Sequence, residues 1–342
     1  MKNQSGDVNN LSHDYLAEIE SEQALRKIIS GYPKMLDKRI QRALDPFSIE
    51  FIEVSKVAVL ATASKHNVMF VLQCKPDKLG IVDDQHFAVN KVSESNLSPG
   101  DAYPLQASLF FMVPGIGHAL RINGCLKPSK NEAYIFTITQ AYFHCARAVA
   151  RSDFWTPKAR PSSNLEIDNV VSRSSYLLLK TLNADGQTEI SPRGDEAGFV
   201  KQLSPTTLLI PERPGNKIAV SLRNIISCPE LELLFMVPGE NHTMNVKGLA
   251  KVISDREILE QCAVKGKIPK TGILVNVQSS QFQLDPVLES ENIWDTRSAI
   301  SKHSITAFPK ALSAHINGTG MLGKATATIV GAVVKHDMKN LY

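Results

Sequence analysis

The order of apolar and polar positions along the chain repeats, and the repeat predicts two copies of one β domain. Phe-Met-Val-Pro-Gly occurs at Phe111–Gly115 and again at Phe235–Gly239, and 8 of 17 positions are identical between residues 108–124 and 232–248. Three weaker matches keep the same order in both halves: Val57–Thr62 with Tyr176–Thr181, Phe143 with Phe282, and Trp155 with Trp294. Apolar runs that end in turn residues are typical of strands, so we expect a duplicated, mainly β domain.

Apolar residues at helical spacing predict helices outside the repeated strands. Ser21–Leu44 carries such a pattern, and Pro33 divides it into two helices. A capping signal at Ser254 precedes a predicted helix over Asp255–Val264, which the first half lacks. Proline and serine are concentrated in Thr156–Asn164, which indicates a linker. We therefore divide the chain into a helical N-terminal segment (1–45), two β domains (46–157 and 158–300) and a C-terminal extension (301–342).

Composition narrows the class of protein. The chain has 342 residues and a formal net charge of only +4, which does not indicate a nucleic-acid partner. Its five cysteines are scattered and never form Cys-x-x-Cys, so we expect reduced thiols rather than disulfides or a zinc site. No apolar signal segment opens the sequence, and no apolar run is long enough for a membrane span. We therefore expect a cytoplasmic protein without a membrane partner and without a bound metal.

The C-terminal extension holds one glycine-rich motif. Gly318–Lys324 has the glycine and lysine spacing of a phosphate loop. Ala325 stands where serine or threonine would ligate magnesium, and no strand–helix–strand unit surrounds the motif. We therefore interpret residues 301–342 as a flexible extension rather than a nucleotide site.

A Ser-Pro-Arg-Gly-Asp segment, Ser191–Asp195, follows a predicted strand and turn in the second β domain. We expect Pro192 and Gly194 to interrupt the strand, so that backbone N–H groups turn toward a ligand. Arg193 adds a planar fork of donors suited to a phosphate or to a flavin carbonyl. The segment therefore predicts part of an anion site.

Cations follow the next apolar strand, which ends at Pro211. Around the Pro-Gly turn the sequence places Arg213, Asn216, Lys217 and Arg223. Three cations within so short a stretch can neutralise a phosphate dianion. A solvated basic turn is the alternative interpretation.

The first half contributes an aromatic element, Tyr142-Phe-His-Cys-Ala-Arg147. Taken alone, it could be an aromatic strand end packed in the core, with Cys145 as a small buried residue. On the residues alone, this packed strand end is the favoured interpretation.

Together, these elements resemble the FMN-binding relatives of pyridoxamine 5′-phosphate oxidase over most of the chain. The resemblance implies an α+β fold, mainly β with flanking helices, in which two FMN-binding split β-barrels form a pseudo-dimer within one chain. It implies that Arg213, Asn216, Lys217 and Arg223 hold the phosphate of FMN, that Arg193 lies near the ring, and that Ser191 also binds the cofactor. In this family the aromatic element comes from the partner barrel, so His144, Cys145 and Arg147 would close the pocket.

Comparison of the two halves predicts one complete site. We align Leu72–Cys74 with Ser191–Arg193, and Val89, Val92 and Ser93 with Arg213, Asn216 and Lys217, so the first half lacks the cations of this loop. In the second half, Gln281–Pro286 replaces the aromatic element and lacks its His, Cys and Arg. One composite site keeps both contributions and the other has lost both. We therefore expect one FMN per chain.

The leading functional hypothesis is an FMN-dependent oxidoreductase that acts on a small molecule, with NAD(P)H as a candidate reductant. His144 is the candidate catalytic residue, since the intrinsic pKa of histidine lies near neutrality. One alternative is a flavin, deazaflavin or haem carrier without turnover, and another is a flavin-free structural pseudo-dimer. Pyridoxamine-phosphate oxidation itself is not expected, because the C-terminal Arg and His motif of that enzyme is absent.

Overall fold

The computed structural model describes residues 17–64, 68–90, 97, 102–130, 133–157, 167–215 and 217–342. They form two seven-stranded antiparallel sheets with flanking helices, which confirms the predicted α+β class. The first sheet contains β1 (Val57–Thr62), β2 (Phe70–Gln73), β3 (Leu79–Ile81), β4 (His86–Val89), β5 (Leu105–Met112), β6 (Ala119–Pro128) and β7 (Tyr134–His144). The second contains β8 (Tyr176–Leu182), β9 (Thr188–Gly194), β10 (Lys201–Ser204), β11 (Thr207–Pro211), β12 (Glu230–Met236), β13 (His242–Ile253) and β14 (Gly272–Leu284).

Both sheets have the same strand order. It is β2-β1-β5-β6-β7-β4-β3 in the first, and the second reads β9-β8-β12-β13-β14-β11-β10 in the same direction. The strand registers agree as well: Val57 pairs with Met112 in the first sheet, and the repeat-equivalent Tyr176 pairs with Met236 in the second. The topology therefore matches two split barrels whose strands follow the predicted repeat.

A β-bulge occurs at the same place in both sheets and explains a repeated glycine. The register shifts at Gly124 between β6 and β7, and at Gly248 between β13 and β14. A Cβ atom would lie 2.0 Å from the carbonyl oxygen of Thr137 at Gly124, and 2.4 Å from that of Asn276 at Gly248. Only glycine lets the neighbouring backbones approach this closely.

The strand registers correct two parts of the sequence alignment. The pairing of β1 with β2 and of β8 with β9 places Phe70 at the position of Ser191, and Leu72 at that of Arg193. Likewise, the pairing of β4 and β11 with their neighbours places Val89 at the position of Ile210. The alignment by sequence therefore slips by two or three residues in these strands. The first half still lacks the corresponding Ser and Arg.

Nine helices flank the sheets in the described residues. They are α1 (Glu22–Ile28), α2 (Pro46–Val54), α3 (Arg147–Ser152), α4 (Ile167–Arg173), α5 (Val220–Ser227), α6 (Arg256–Glu260), α7 (Pro286–Glu291), α8 (Phe308–Asn317) and α9 (Met321–Lys339). A 3-10 helix covers Lys34–Arg39, beyond Pro33. Asp255 caps α6 by accepting a hydrogen bond from Ile258, as the capping signal predicts. Among these helices, none combines the length and apolar character that a bilayer crossing needs.

The C-terminal extension is helical, which corrects the expectation of a flexible segment. Helices α8 and α9 pack against each other and turn at Gly318, whose φ is +73°. Leu312 and Ile316 of α8 are buried, and His315 Nε2 lies 2.9 Å from Asp45 beside the first barrel. The glycines that suggest flexibility in the sequence stand at the turn and at the start of α9.

A shared apolar core joins the two barrels. Each barrel has its own core, and a third cluster of buried residues lies between the sheets. Its members come from equivalent strands: Val57, Val59, Phe110 and Met112 from the first sheet, and Tyr176, Leu178, Leu234 and Met236 from the second. Both tryptophans also bond equivalent carbonyls, Trp155 to Ile116 (2.7 Å) and Trp294 to Glu240 (2.9 Å). The barrels thus form a pseudo-dimer within one chain.

Candidate functional site

The candidate site lies at the seam where edge strand β9 of the second barrel packs against β5 and β6 of the first, next to β7. Arg121 on β6 is 1% exposed, and its Nη1 donates to the carbonyl oxygen of Ile190 (2.6 Å) and to the hydroxyl of Ser191 (3.1 Å). Its Nη2 lies 3.3 Å from Glu189. This side chain therefore bonds the barrels together and places the predicted Ser191 at the seam.

Strand β9 remains paired through its Ser-Pro-Arg-Gly segment, so the expected interruption is wrong. Leu178 pairs with Pro192, and Tyr176 pairs with Gly194. An edge strand tolerates proline because one side of its backbone has no strand partner. Gly194 is needed for a close contact instead, since a Cβ atom there would lie 2.2 Å from the carbonyl oxygen of Ala148 in α3.

Two guanidinium groups approach the ring of Tyr142. The Cζ atoms of Arg121 and Arg39 lie 4.5 Å and 4.6 Å from the ring centroid, within cation–π distance. Arg39 ends the 3-10 helix and is buried. Sequence reasoning missed both arginines. A charged residue among the apolar residues of Ala119–Ile122 was the one available signal for Arg121, and nothing local marked Arg39.

His144 stacks on Tyr142, with 5.5 Å between ring centroids and 29° between ring planes. Burial, together with the positive charges of Arg121, Arg39 and Arg193, holds the pKa of His144 well below its usual value. This corrects the premise that His144 titrates near neutrality. The ring is neutral at physiological pH and offers one N–H donor and one lone pair.

Buried nitrogen atoms without a hydrogen-bond partner are concentrated around this site. Within the described residues they are Nε of Arg121, Arg147 and Arg193 and Nε2 of His144, whereas a fifth such atom, Nε of Arg223, belongs to a side chain that faces helix α1. Buried polar groups are normally bonded, so such a group of donors indicates a ligand rich in acceptor atoms.

Charge at the seam favours the same kind of ligand. Three buried arginines, at positions 39, 121 and 193, surround His144. The nearby carboxylates are Glu189 beside Arg121, Glu212, whose Oε2 lies 3.0 Å from Arg193, and the exposed Asp37, which interacts with Arg39. Three buried arginines thus face two partly buried carboxylates, an excess of positive charge that suits an anion such as FMN, which carries a phosphate and ring carbonyls.

Arg213, predicted to hold the phosphate, is committed to other groups. It forms an ion pair with Asp195, which is 1% exposed, and its Nη1 donates to the carbonyl oxygen of Cys262 (2.7 Å). A ligand would have to share these donors. The neighbouring predicted ligand, Asn216, lies outside the described residues.

Lys217 and Arg223 face the N-terminal helix α1. The carbonyl oxygen of Lys217 accepts a hydrogen bond from Arg26 (2.7 Å), and the Lys217 side chain is exposed. Nη1 of Arg223 lies 3.6 Å from Glu22. These two cations and Arg213 therefore point to different neighbours and do not converge as a single phosphate cradle.

The aromatic element does meet the cation loop, as the composite-site prediction requires. Arg147 opens α3, and its Nη1 donates to the carbonyl oxygen of Pro214 (3.1 Å). A Cβ atom at Gly215, whose φ is +114°, would lie 1.4 Å from Arg147 Nη1. Cys145 precedes α3 and is exposed. The first barrel's His144 and Arg147 thus lie beside Arg193 and the Pro-Gly loop of the second.

The pseudo-equivalent seam lacks this chemistry. At the second seam, Asn245 takes the place of Arg121, Gln281 that of Tyr142, and Gln283 that of His144. Phe70 takes the place of Ser191, and Leu72 that of Arg193. Asn245 donates to the carbonyl oxygen of Met69 (3.1 Å), just as Arg121 donates to that of Ile190. The second seam keeps the contact between barrels but carries none of the site's cations at these positions.

Comparison with known proteins identifies one family. Residues 164–284 match the model of the pyridoxamine 5′-phosphate oxidase family, and no curated protein matches the chain. Similar solved structures include HupZ of Group A Streptococcus (16% identity, 36% of this chain and 95% of that one, TM-score 0.30). A candidate pyridoxamine 5′-phosphate oxidase of Lactobacillus delbrueckii also matches, with 21% identity over 34% of this chain and 92% of that one and a TM-score of 0.27. So does an F420 reductase, with 15% identity over 36% of this chain and 98% of that one and a TM-score of 0.27. These scores are too low to bear on function.

Proposed function

Since residues 164–284 match the model of the pyridoxamine 5′-phosphate oxidase family, we propose that the protein binds one FMN per chain at the seam of Arg121, His144 and Arg193. The supporting observation is the concentration of unpartnered buried donors there, with more arginines than carboxylates. The second seam, with glutamines and apolar residues at the equivalent positions, would bind none. Because one chain supplies both halves of the site, no partner chain is needed to complete it.

The proposed activity is that of an FMN-dependent oxidoreductase acting on a small molecule, with NAD(P)H as the candidate reductant. Bound flavin would supply the redox chemistry. Arg121 and Arg193 would stabilise negative charge on the ligand, because their own burial strengthens electrostatic interactions. The neutral His144 would donate or accept one hydrogen bond and orient the ligand, rather than act as a cationic acid.

A haem-binding function is the second candidate, and His144 is the observation that favours it. A neutral imidazole whose Nε2 has no hydrogen-bond partner is what a metal ion requires of a histidine ligand. The two candidates differ in the absorbance of the purified protein. A flavin spectrum supports the first, and a Soret band supports the second.

Titration with FMN tests the site and its stoichiometry. We expect one FMN per chain, and Arg193→Met should weaken binding about ten- to hundredfold, since a hydrogen bond to a charged group contributes about 1.5–3 kcal/mol. His144→Ala should weaken binding or alter the flavin spectrum. Gln283→Ala, the matched control at the other seam, should leave the affinity within about twofold. Two FMN per chain, or greater loss in Gln283→Ala than in His144→Ala, would contradict the assignment.

A further inference from the structure

The segment Asp337–Tyr342 lies against cations of both barrels, and we call it the 337–342 strap. Asp337 Oδ1 lies 2.7 Å from Arg147 Nη2. The carbonyl oxygen of Leu341 accepts two hydrogen bonds from Arg151 of α3, at 2.9 Å from Nε and 2.6 Å from Nη2. The strap thus occupies donors next to the Pro-Gly loop, where Arg151 also donates to Pro214 (2.8 Å).

Tyr342 reaches deepest into this surface. Its hydroxyl donates to Asp195, the carboxylate that also pairs with Arg213. Its ring centroid lies 5.7 Å from Arg151 Cζ, 5.8 Å from Arg213 Cζ and 5.5 Å from Lys265 Nζ. Its carbonyl oxygen accepts a hydrogen bond from Lys267 (3.0 Å). The strap therefore presents a carboxylate, two carbonyl oxygens and an aromatic face to cations.

Positive charge exceeds negative charge on this surface. The cations are Arg147, Arg151, Arg213, Lys265 and Lys267, and the carboxylates that meet them are Asp195 and the strap's own Asp337. Such a cluster binds anions, and a phosphate would find more donors than the strap supplies. Asp337 is 41% exposed, so its ion pair is weak enough to be exchanged.

A hydrogen-bond donor that is bonded to the strap is not free to bond a phosphate. We propose that the 337–342 strap is an internal ligand of this anion-binding surface and competes with the phosphate group of the flavin for Arg147, Arg151 and Arg213. The proposal rests on the proposed function for the identity of that ligand. Competition of this kind raises the Kd of the external ligand, which equals its intrinsic value divided by the fraction of molecules in which the strap is released.

Paired titrations with FMN and riboflavin test the competition, because riboflavin lacks the phosphate. In the double variant D337N/Y342F, and in a chain lacking residues 337–342, the Kd for FMN should fall about tenfold, a usual size for coupling between sites. The Kd for riboflavin should stay within about twofold. Asp185→Asn, in the exposed turn between β8 and β9, makes the same charge change and should alter neither. Unchanged or weaker FMN binding in the strap variants would overturn the proposal, since it would make the strap inert or part of the pocket.

Hydrogen exchange separates failure of the strap from failure of the flavin assignment. Inorganic pyrophosphate added to the full chain should increase exchange at the amides of residues 338–342, whether or not flavin binds. Exchange unaffected by saturating pyrophosphate would refute competition at this surface. Increased exchange in a chain that binds no flavin would support the strap and reject the proposed cofactor.

Discussion

Arg121→Met is the sharpest test of the seam, because Arg121 bonds the two barrels at the candidate site. Methionine keeps a long apolar side chain against Tyr142 and removes the guanidinium. The change leaves the carbonyl oxygen of Ile190 and the Glu189 carboxylate without their main partner. Burial lowers the pKa of Arg121 to about 10, so the wild-type side chain is still a cation at neutral pH.

The expected cost follows from these contacts. Hydrogen bonds to a charged group contribute about 1.5–3 kcal/mol each. Removing one partner of a buried ion pair costs about 3–5 kcal/mol, because the other charge stays buried. Glu189 keeps one contact, with Asn123 at 3.4 Å, and is partly exposed. We therefore expect Arg121→Met to lower the free energy of unfolding by about 3–4 kcal/mol.

Urea denaturation followed by tryptophan fluorescence measures this loss, since Trp294 and the partly buried Trp155 lie in the shared core. The double variant Arg121→Met/Glu189→Gln should have an unfolding free energy at least about 1 kcal/mol higher than that of Arg121→Met alone, because a neutral glutamine needs no cation beside it. Asn245→Ala, at the equivalent position of the other seam, removes one neutral hydrogen bond and should cost about 1–2 kcal/mol. A loss below about 1 kcal/mol for Arg121→Met, or no coupling with Glu189, would refute the role of this contact.

Two further predictions concern the first barrel's core and the repeated bulge. Burial among Phe51, Phe143 and Phe308 lowers the pKa of His118 to about 4, below its unfolded value near 6.5, so the folded state loses stability as pH falls between these values. The unfolding free energy should therefore fall by about 2 kcal/mol less in His118→Phe than in the unchanged chain when the pH is lowered from 7 to 4.5. An equal fall in both proteins would contradict the lowered pKa of His118. Gly124→Ala and Gly248→Ala should each destabilise the chain by about 1–3 kcal/mol in thermal or urea unfolding, since both insert a Cβ against a carbonyl oxygen. A neutral effect at either glycine would show that the two bulges are not equivalent.

The fold could be predicted from the sequence at positions where the same distinctive residues recur in both halves. The Phe-Met-Val-Pro-Gly segments, the glycines at the bulges and the tryptophans all lie at equivalent places in the two sheets. Alignment slipped in β2 and β4, where no such residue recurs. A slip of two residues, as in β2, keeps every side chain on the same face, so the apolar pattern alone cannot detect it. The slip of three residues in β4 exchanges the faces and arises from the offset carried over from the Phe-Met-Val-Pro-Gly segments.

Local signals also explain the error in the C-terminal extension. Glycines at positions 318, 320 and 323 disfavour helix by propensity, yet α9 begins at Met321. Packing of α8 and α9 on each other and burial of Leu312 stabilise the helical form. Tertiary contacts of this kind decide most helices, and they are not visible in a single segment.

In the candidate site, too, residues that belong to short motifs could be predicted, whereas residues brought together by the fold could not. Sequence comparison could indicate which half keeps Arg193 and which keeps His144, because each belongs to a short motif. It could not find Arg39 or Arg121, whose positions beside Tyr142 depend on a distant 3-10 helix and on the packing of two barrels. Burial, together with the positive charges of Arg121, Arg39 and Arg193, holds the pKa of His144 well below its usual value, so the residue expected to titrate near neutrality is neutral in the assembled fold. Charge at a buried seam is a property of the assembled pseudo-dimer, and the role of each side chain there follows from its neighbours.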